Sequence, residues 1–210
     1  LLSNGGTSRG LPISCFLNYV PDSREGLADH YNENIWLSSM GGGIGGYWGH
    51  IRSQGQSTST GNKTTGVIPF MHVVDSQMLA FNQGSTRRGS YASYMDISHP
   101  EIVEFIEMRK PTGGDINRKN LNMHHGINIP DKFMKAVTED LDWDLVDPNS
   151  KDVVQTVKAR TLWIKLMETR MQTGEPYLMF IDTVNKHFPK ELKAKGLKVN
   201  HSNLCSEITL

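Results

Sequence analysis

Near the end of the chain a thiol lies between an amide and a carboxylate, at Asn203, Cys205 and Glu207. On an extended segment, side chains two positions apart share a face, so the three groups would converge on one small ligand. The amide would orient the ligand, the thiol would react with it and the carboxylate would act as a base. The alternative is that Cys205 is a small buried apolar residue, as free cysteines usually are. No histidine placed to activate a thiolate is evident nearby, which disfavours a cysteine protease.

The other cysteine of the chain is Cys15, which follows Ser14 in a mostly apolar stretch at residues 11–20. Gly10 and Pro21 bound this stretch, and the pattern predicts a buried strand. Two cysteines in 210 residues exclude a disulfide-dense secreted domain. The two thiols lie near opposite ends of the sequence.

Three polar clusters carry residue types that bind phosphate: Asp22 with Ser23, the neighbourhood of Arg52, and residues 82–89 with Gln83, Arg87 and Arg88. The planar fork of arginine matches phosphate oxygens, and glycine-rich backbone supplies N–H donors. Each cluster taken alone is equally typical of a solvated turn.

Residues 41–46 read Gly-Gly-Gly-Ile-Gly-Gly and satisfy the spacing of a dinucleotide-binding loop. That loop must follow a strand and open a helix, whereas this run follows a predicted helix, so we reject it. Glycine at a position such as Gly43 still lets a flat ligand approach the backbone. The alternative is a flexible exit from the helix.

Charge and composition exclude further functional classes of protein. The chain has 22 basic and 22 acidic residues, which argues against a nucleic-acid coat or a polybasic membrane binder. No apolar run approaches the ~18 residues of a membrane span. His124 and His125 are adjacent, which is a poor spacing for one metal ion, and the zinc motifs are absent. We therefore expect a cytoplasmic protein without a metal site, binding neither nucleic acid nor membrane.

Helical and strand patterns alternate along the chain. Helices are predicted at residues 22–40, 69–81, 100–110, 131–138 and 152–173, and strands at 11–20, 90–97, 122–129 and 177–184. Residues 41–46 are glycine-rich and residues 54–66 are too rich in Ser, Thr and Gly for regular structure. Residues 140–152 are predicted to be a loop, and residues 198–210 strand or loop. Strands separated by helices pair in parallel through right-handed crossovers, so we predict an α/β sheet or barrel.

The run from Asn203 to Glu207, preceded by His201 and Ser202, resembles the active-site signature of the large subunit of class I ribonucleotide reductase. Residues 3–15, 100–110 and 128–134 are similar to segments of that family in the same order. The resemblance implies an α/β fold that is part, mainly the first half, of the family's ten-stranded α/β barrel. It further implies that residues 1–210 are a partial catalytic barrel domain, truncated at both ends.

The resemblance also implies roles for residues. Cys205 matches the cysteine that becomes a thiyl radical and removes the ribose 3′ hydrogen. Glu207 matches the base at the 3′-hydroxyl, and Asn203 matches the amide that orients the ribose hydroxyls. Cys15 matches one of two redox thiols.

Substrate contact is expected at Ser14 and Gly43 as well as at the residues of the 203–207 run. A thiyl radical has to be shielded from water, so Cys205 is expected inside a barrel.

The implied reaction is the reduction of ribonucleoside diphosphates to deoxyribonucleoside diphosphates. The radical would come from a metal-containing small subunit, and thioredoxin or glutaredoxin would be the reductant, with no cofactor bound directly by this chain. Asp22, Ser23 and Arg52 match the site for dNTP and ATP effectors, and Gln83, Arg87 and Arg88 match the specificity loop. Helices 22–40 and 69–81 would form a homodimer interface.

Two alternatives stay open. A cobalamin-dependent reductase is disfavoured because Leu204 and Ser206, instead of proline and glycine, flank the cysteine. A non-catalytic nucleotide-binding regulatory module would keep Asp22 and Arg52 but would not need an amide, a thiol and a carboxylate in one cavity. Because the second redox thiol is expected beyond Leu210, the isolated chain is predicted to be inactive.

Overall fold

The computed structural model describes residues 5–8, 12–81 and 88–209. Its strands are β1 Cys15–Tyr19, β2 Gly43–Tyr47, β3 Ser90–Asp96, β4 His124–Ile129, β5 Asp142–Val146, β6 Val153–Lys158 and β7 Tyr177–Phe180. Its helices are α1 Arg24–Ser39, α2 Val67–Ala80, α3 Ile102–Glu107, α4 Asp131–Glu139, α5 Ala159–Thr173, α6 Ile181–His187 and α7 Lys190–Lys193, with a 3-10 turn at Ile116–Arg118.

Five strands form one sheet in the order β1-β2-β3-β4-β7, and every neighbouring pair is parallel. Strand and helix alternate along the chain, so each strand is carried back to the same edge before the next one begins. The predicted parallel α/β architecture is confirmed. Because the strands are parallel, all their amino-terminal ends lie along one edge of the sheet.

The two faces of the sheet are both covered, but by different elements. One face, with Ile44, Met95 and Ile127, packs on the large core formed with the helices. The other face carries Tyr47, Ala92, Tyr94 and Met179, and it packs on Phe188 and Val199 from the end of the chain. The side chains alternate between the faces with the period of two that strands impose.

The glycine-rich run is a strand of the sheet and not an irregular loop. Strand β2 occupies residues 43–47 between β1 and β3, with all five residues buried. Glycine generally disfavours strands. Here, however, β1 and β3 both pair with the backbone of β2, and atoms of other residues occupy the space that side chains of β2 would need. A Cβ on Gly46 would lie 1.7 Å from the Tyr91 hydroxyl.

Residues 140–158 differ from the prediction too. β5 and β6 form an antiparallel hairpin where we predicted an acidic loop followed directly by a helix, and α5 begins only at Ala159. The β-branched residues Val153, Val154, Thr156 and Val157 favour the strand. The last strand is also shorter than predicted, because β7 ends at Phe180 and α6 follows at once.

Within the described residues, the helices are too short or too polar to cross a membrane.

Candidate active site

The predicted redox thiol Cys15 lies at the amino-terminal edge of the sheet. Cys15 lies in a strand, as predicted, but it is the first residue of β1 and not a residue within the strand, and it pairs with Gly43, the first residue of β2. The Gly43 N–H donates to the Ser14 carbonyl over 2.6 Å, and the Ser14 hydroxyl lies 3.9 Å from the Cys15 sulfur. Ser14, Cys15 and Gly43 therefore form one short row of adjacent positions.

The end of the chain folds back onto this row as a tight turn. The Ser206 N–H donates to the Asn203 carbonyl over 3.3 Å, which places Leu204 and Cys205 at the tip. The Asn203 side-chain oxygen accepts from the N–H groups of Glu207 and Ile208, at 3.2 and 3.1 Å. We name residues 203–206 the Cys205 turn.

This geometry corrects the extended segment that we predicted. In the turn, Asn203 is fully buried whereas Cys205 and Glu207 are exposed, so the three side chains do not share one face by strand alternation. The Asn203 amide instead holds the turn together with its oxygen. Its Nδ2 has no hydrogen-bond partner within 3.5 Å among the described residues.

The turn brings Glu207 to Cys15. The Cys15 thiol donates to Glu207 Oε1 over 3.7 Å, a contact between residues 192 positions apart. The Asn203 side chain and the N–H of Glu207 itself hold the pKa of the Glu207 carboxyl below its ordinary value. Glu207 is therefore ionised at neutral pH and able to accept a proton.

The shielding that we predicted for Cys205 is absent from the described residues. Cys205 is exposed and Cys15 is half-buried. The sheet lies beneath the turn and contacts it through Tyr94 and Gly45. Cys205 was expected inside a barrel, and among the described residues it is exposed instead.

The predicted effector residues also lie together. Arg52 Nε donates to Asp22 Oδ2 over 2.8 Å, and Ser23 caps α1 by accepting from the Gly26 N–H. These residues line an open cavity of about 350 Å³, with Thr58 and Ser59 on its other side. Arg52 Nη1 also donates to the Ser57 carbonyl, which fixes the loop after β2 to the same site.

The predicted specificity loop is only partly described. Gln83 and Arg87 lie outside the described residues. Arg88 is described and exposed, two residues before β3 begins. Their predicted role therefore stays a prediction.

Three residues that contact the predicted sites were not identified from the sequence. Tyr94, on β3, donates its hydroxyl to the Asn203 carbonyl over 2.7 Å. Asn149, in the β5–β6 hairpin, donates to Asp22 over 3.3 Å, and Asp147 accepts from both the N–H and the hydroxyl of Ser53. The hairpin thus reaches the effector cavity. Its turn residues, Asp-Pro-Asn-Ser, are a recognisable turn signal, but nothing local indicates which surface it contacts.

His124 and His125 both contact a carboxylate. His125 Nδ1 lies 3.1 Å from Glu175 Oε2, and His124 Nδ1 contacts Glu175 Oε1. Burial opposes ionisation of Glu175, but hydrogen bonds from both histidines and the charge of Arg109 hold its pKa well below the ordinary value. The pair therefore stabilises a buried anion.

The chain is similar to known proteins over nearly its whole length. Residues 13–210 match the family model described as ribonucleotide reductase, barrel domain. The chain is 59% identical over 204 residues to the ribonucleoside-diphosphate reductase large subunit assigned to Frog virus 3, covering 97% of this chain and 35% of that protein. It is 47% identical over 212 residues to the large subunit of Invertebrate iridescent virus 6, covering 98% and 21%.

A solved structure matches the fold as well. The class Id ribonucleotide reductase alpha subunit of Actinobacillus ureae superposes with a TM-score of 0.79 at 30% identity, covering 99% of this chain and 34% of that one. The chain thus spans about a third or less of the length of these relatives. With a parallel sheet, a cysteine turn on its inner face and a family model matched over nearly the whole sequence, the chain belongs to the ribonucleotide reductase family, within its barrel domain.

Proposed function

We propose that this chain is the part of a ribonucleoside-diphosphate reductase large subunit that carries the radical cysteine. The observation that carries the proposal is the contact of 3.7 Å between Cys15 Sγ and Glu207 Oε1, which brings a thiol and an ionised carboxylate together from the two ends of the sequence. Cys205 stands two positions before Glu207, at the tip of the turn.

Each group would take one part of the reduction. A thiyl radical on Cys205 removes the hydrogen atom from the ribose 3′ carbon, so an S–H bond forms and a C–H bond breaks. Glu207 accepts the proton of the 3′-hydroxyl. The Cys15 thiol protonates the 2′-hydroxyl, which leaves as water because hydroxide itself is a poor leaving group.

Electrons and atoms balance with a second thiol. Cys15 and a further cysteine of the longer protein become a disulfide and supply two electrons and two hydrogens, of which one leaves in the water and the other forms the new C2′–H bond. Glu207 then returns its proton to the 3′ oxygen, and Cys205 returns its hydrogen to the 3′ carbon, which regenerates the thiyl radical. Thioredoxin or glutaredoxin would then reduce the disulfide. A metal-containing small subunit would supply the radical, since nothing in the proposed roles of this chain generates one.

Shielding of the radical would require more of the polypeptide than these residues. The relatives are about three to five times as long, and their remaining barrel strands would close over Cys205 and exclude water. We therefore propose that residues 1–210 act as a partial barrel domain of a cytoplasmic enzyme and are inactive alone.

Regulation is proposed at the cavity of Asp22, Ser23 and Arg52. A dNTP or ATP phosphate there would compete with Asp22 for the Arg52 guanidinium, since arginine matches phosphate oxygens. The loop after β2 would move with Arg52, because Arg52 also holds the Ser57 carbonyl. This movement would reach the specificity loop, so that effector binding would change which substrate is bound.

The test uses the full-length protein with its small subunit and a dithiol. Cys205→Ser should abolish formation of deoxyribonucleoside diphosphate, because serine cannot form the thiyl radical. Met171→Ala, at a side chain 88% exposed on α5, is the matched control and should retain activity. Reduction at the normal rate by Cys205→Ser would overturn the proposal.

The same assay separates the alternatives. Activity with adenosylcobalamin and without a small subunit would indicate a cobalamin-dependent reductase. Effector binding with no reduction by the unmodified protein under either condition would indicate a regulatory module.

A further inference from the structure

A buried tyrosine lies directly beneath the Cys205 turn. Tyr94 is fully buried on β3, on the sheet face that the end of the chain covers. Its hydroxyl lies 2.7 Å from the Asn203 carbonyl oxygen and 2.8 Å from the Ser206 hydroxyl. One phenol therefore contacts both ends of the four-residue turn that carries Cys205.

The directions of these hydrogen bonds follow from the donors available. The Asn203 carbonyl can only accept, so the phenol donates its single proton there. The Ser206 hydroxyl then donates to the phenol oxygen. Burial raises the pKa of Tyr94 to about 12, so the phenol keeps this proton at neutral pH.

The neighbouring strands are shaped around this contact. A Cβ on Gly126 of β4 would lie 2.6 Å from a ring carbon of Tyr94, so glycine makes room for the ring. A Cβ on Gly45 of β2 would lie 1.9 Å from the Ser202 carbonyl oxygen, so glycine also makes room for the backbone of the turn. The Cys205 turn thus packs against Gly45 and the Tyr94 phenol, and Gly126 leaves room for the Tyr94 ring.

The turn also holds a backbone conformation that needs support. Ser206 has a φ of 64°, in the left-handed region that residues other than glycine adopt rarely. Such conformations are unfavourable and persist where the surroundings impose them. The Tyr94 hydroxyl is the side-chain group in contact with Ser206.

We propose that Tyr94 is a positioning residue that fixes the location of the Cys205 thiol by holding Asn203 and Ser206 at the two ends of its turn. This inference rests on the proposed function, because it assigns a role toward the proposed radical cysteine. Tyr94 itself takes no part in bond making or breaking. Its contribution is to keep Cys205 at the distance that hydrogen transfer requires, and small misplacements reduce such rates strongly.

The experiment compares Tyr94→Phe with Tyr91→Phe in the full-length protein with its small subunit. Tyr91 is the matched control, because it is a fully buried tyrosine on the same strand whose hydroxyl contacts Trp48 and His30 on the opposite face. Each variant loses one buried phenol hydroxyl and keeps its ring. Both should lower the melting temperature by a similar amount.

Only Tyr94→Phe should slow the chemistry. We expect kcat for ribonucleoside diphosphate to fall about tenfold, the effect of a hydrogen bond worth about 1.4 kcal/mol, with KM changed less than about twofold. Tyr91→Phe should leave kcat within about twofold. Equal kcat values for the two variants, high or low, would overturn the proposal, since a purely structural role affects both alike.

A second variant covers the case in which Tyr94→Phe does not fold. Ser206 is exposed, so Ser206→Ala keeps the core intact and removes only the donor to the phenol. It should lower kcat about threefold alone and not further in the Tyr94→Phe background. An unchanged kcat in Ser206→Ala would overturn the inference in two cases: if Tyr94→Phe folds and has a normal rate, or if Tyr94→Phe does not fold and its rate cannot be measured.

Cys205→Ser separates the two claims. If Cys205→Ser is inactive and Tyr94→Phe matches Tyr91→Phe, the positioning role fails and the proposed function stands. If Cys205→Ser is active, the proposed function fails.

Discussion

Gly45 allows the Cys205 turn to lie directly on the sheet. A Cβ at this position would be 2.7 Å from the Asn203 Cα, as well as within bonding range of the Ser202 carbonyl oxygen. Backbone cannot move aside as a flexible side chain can. The close packing that positions Cys205 therefore depends on the absence of a side chain at Gly45, on the strand next to that of Cys15.

Gly45→Ala should displace the turn. We expect the chain to lose about 3 kcal/mol of unfolding free energy, as overpacking in a well-filled site does, and residues 200–209 to exchange amide hydrogen faster. Gly43→Ala is the control on the same face of β2, because its Cβ would meet the Leu204 side chain at 3.0 Å and the Ser14 carbonyl oxygen at 3.3 Å, both far longer than the 1.9 Å contact at Gly45. Urea unfolding and hydrogen exchange measure both, and equal losses for the two variants would contradict the role of Gly45.

The sequence showed some of these residues and not others, for a physical reason. Cys15, Cys205 and Glu207 carry their chemistry in their residue type, so spacing and resemblance indicated them. Tyr94 is chemically ordinary, and its partner Asn203 is 109 positions away. Such a contact depends on the order of the strands in the sheet and on the end of the chain folding back onto it. A local sequence pattern does not predict either of these.

Helices α1 and α2 leave apolar side chains in solvent. Trp36 is 61% exposed on α1 and Leu79 is 62% exposed on α2, and the helices touch where the Tyr31 hydroxyl donates to the Phe70 carbonyl. A pair of adjacent helices with exposed large apolar residues is typical of a protein–protein interface. The expected homodimer through these two helices fits this surface.

Trp36→Asp should therefore weaken self-association of the full-length protein. A charge in an apolar interface has to be desolvated, so we expect the dimer dissociation constant to rise at least about tenfold. Sedimentation velocity over a concentration series measures it. Ile164→Asp on α5, at a side chain 50% exposed, is the control and should dimerise as before; identical weakening by both would point to a general loss of fold.

Elements with a clear local signal were predictable. The helix predicted at residues 22–40 and the strand predicted at residues 90–97 are confirmed as α1 and β3. β2 was missed because its glycines have low strand propensity and owe their conformation to two neighbouring strands. The β5–β6 hairpin was missed because the apolar positions of residues 153–157 were counted toward the following helix.

Buried neutral histidines are distributed through the whole molecule. Burial lowers the pKa of His30 and of His201 to about 4, and it lowers the pKa values of His99 and His125 as well. In the unfolded chain each histidine binds a proton near pH 6.5. Between pH 6.5 and about 4, the unfolded state therefore holds more protons than the folded state.

Stability should consequently fall on acidification. Because the unfolded state binds more protons, the unfolding free energy is highest above pH 6.5 and decreases toward pH 4. The loss that His30 alone causes by pH 5 is of order 2 kcal/mol. Urea unfolding of the chain at pH 7.5, 6 and 5 measures the slope. His30→Gln should flatten that slope whatever its effect at pH 7.5, whereas His187→Gln, at an exposed position, should leave it unchanged. A slope that His30→Gln leaves intact would mean that His30 binds its proton equally well in the folded and unfolded states, which would contradict the prediction.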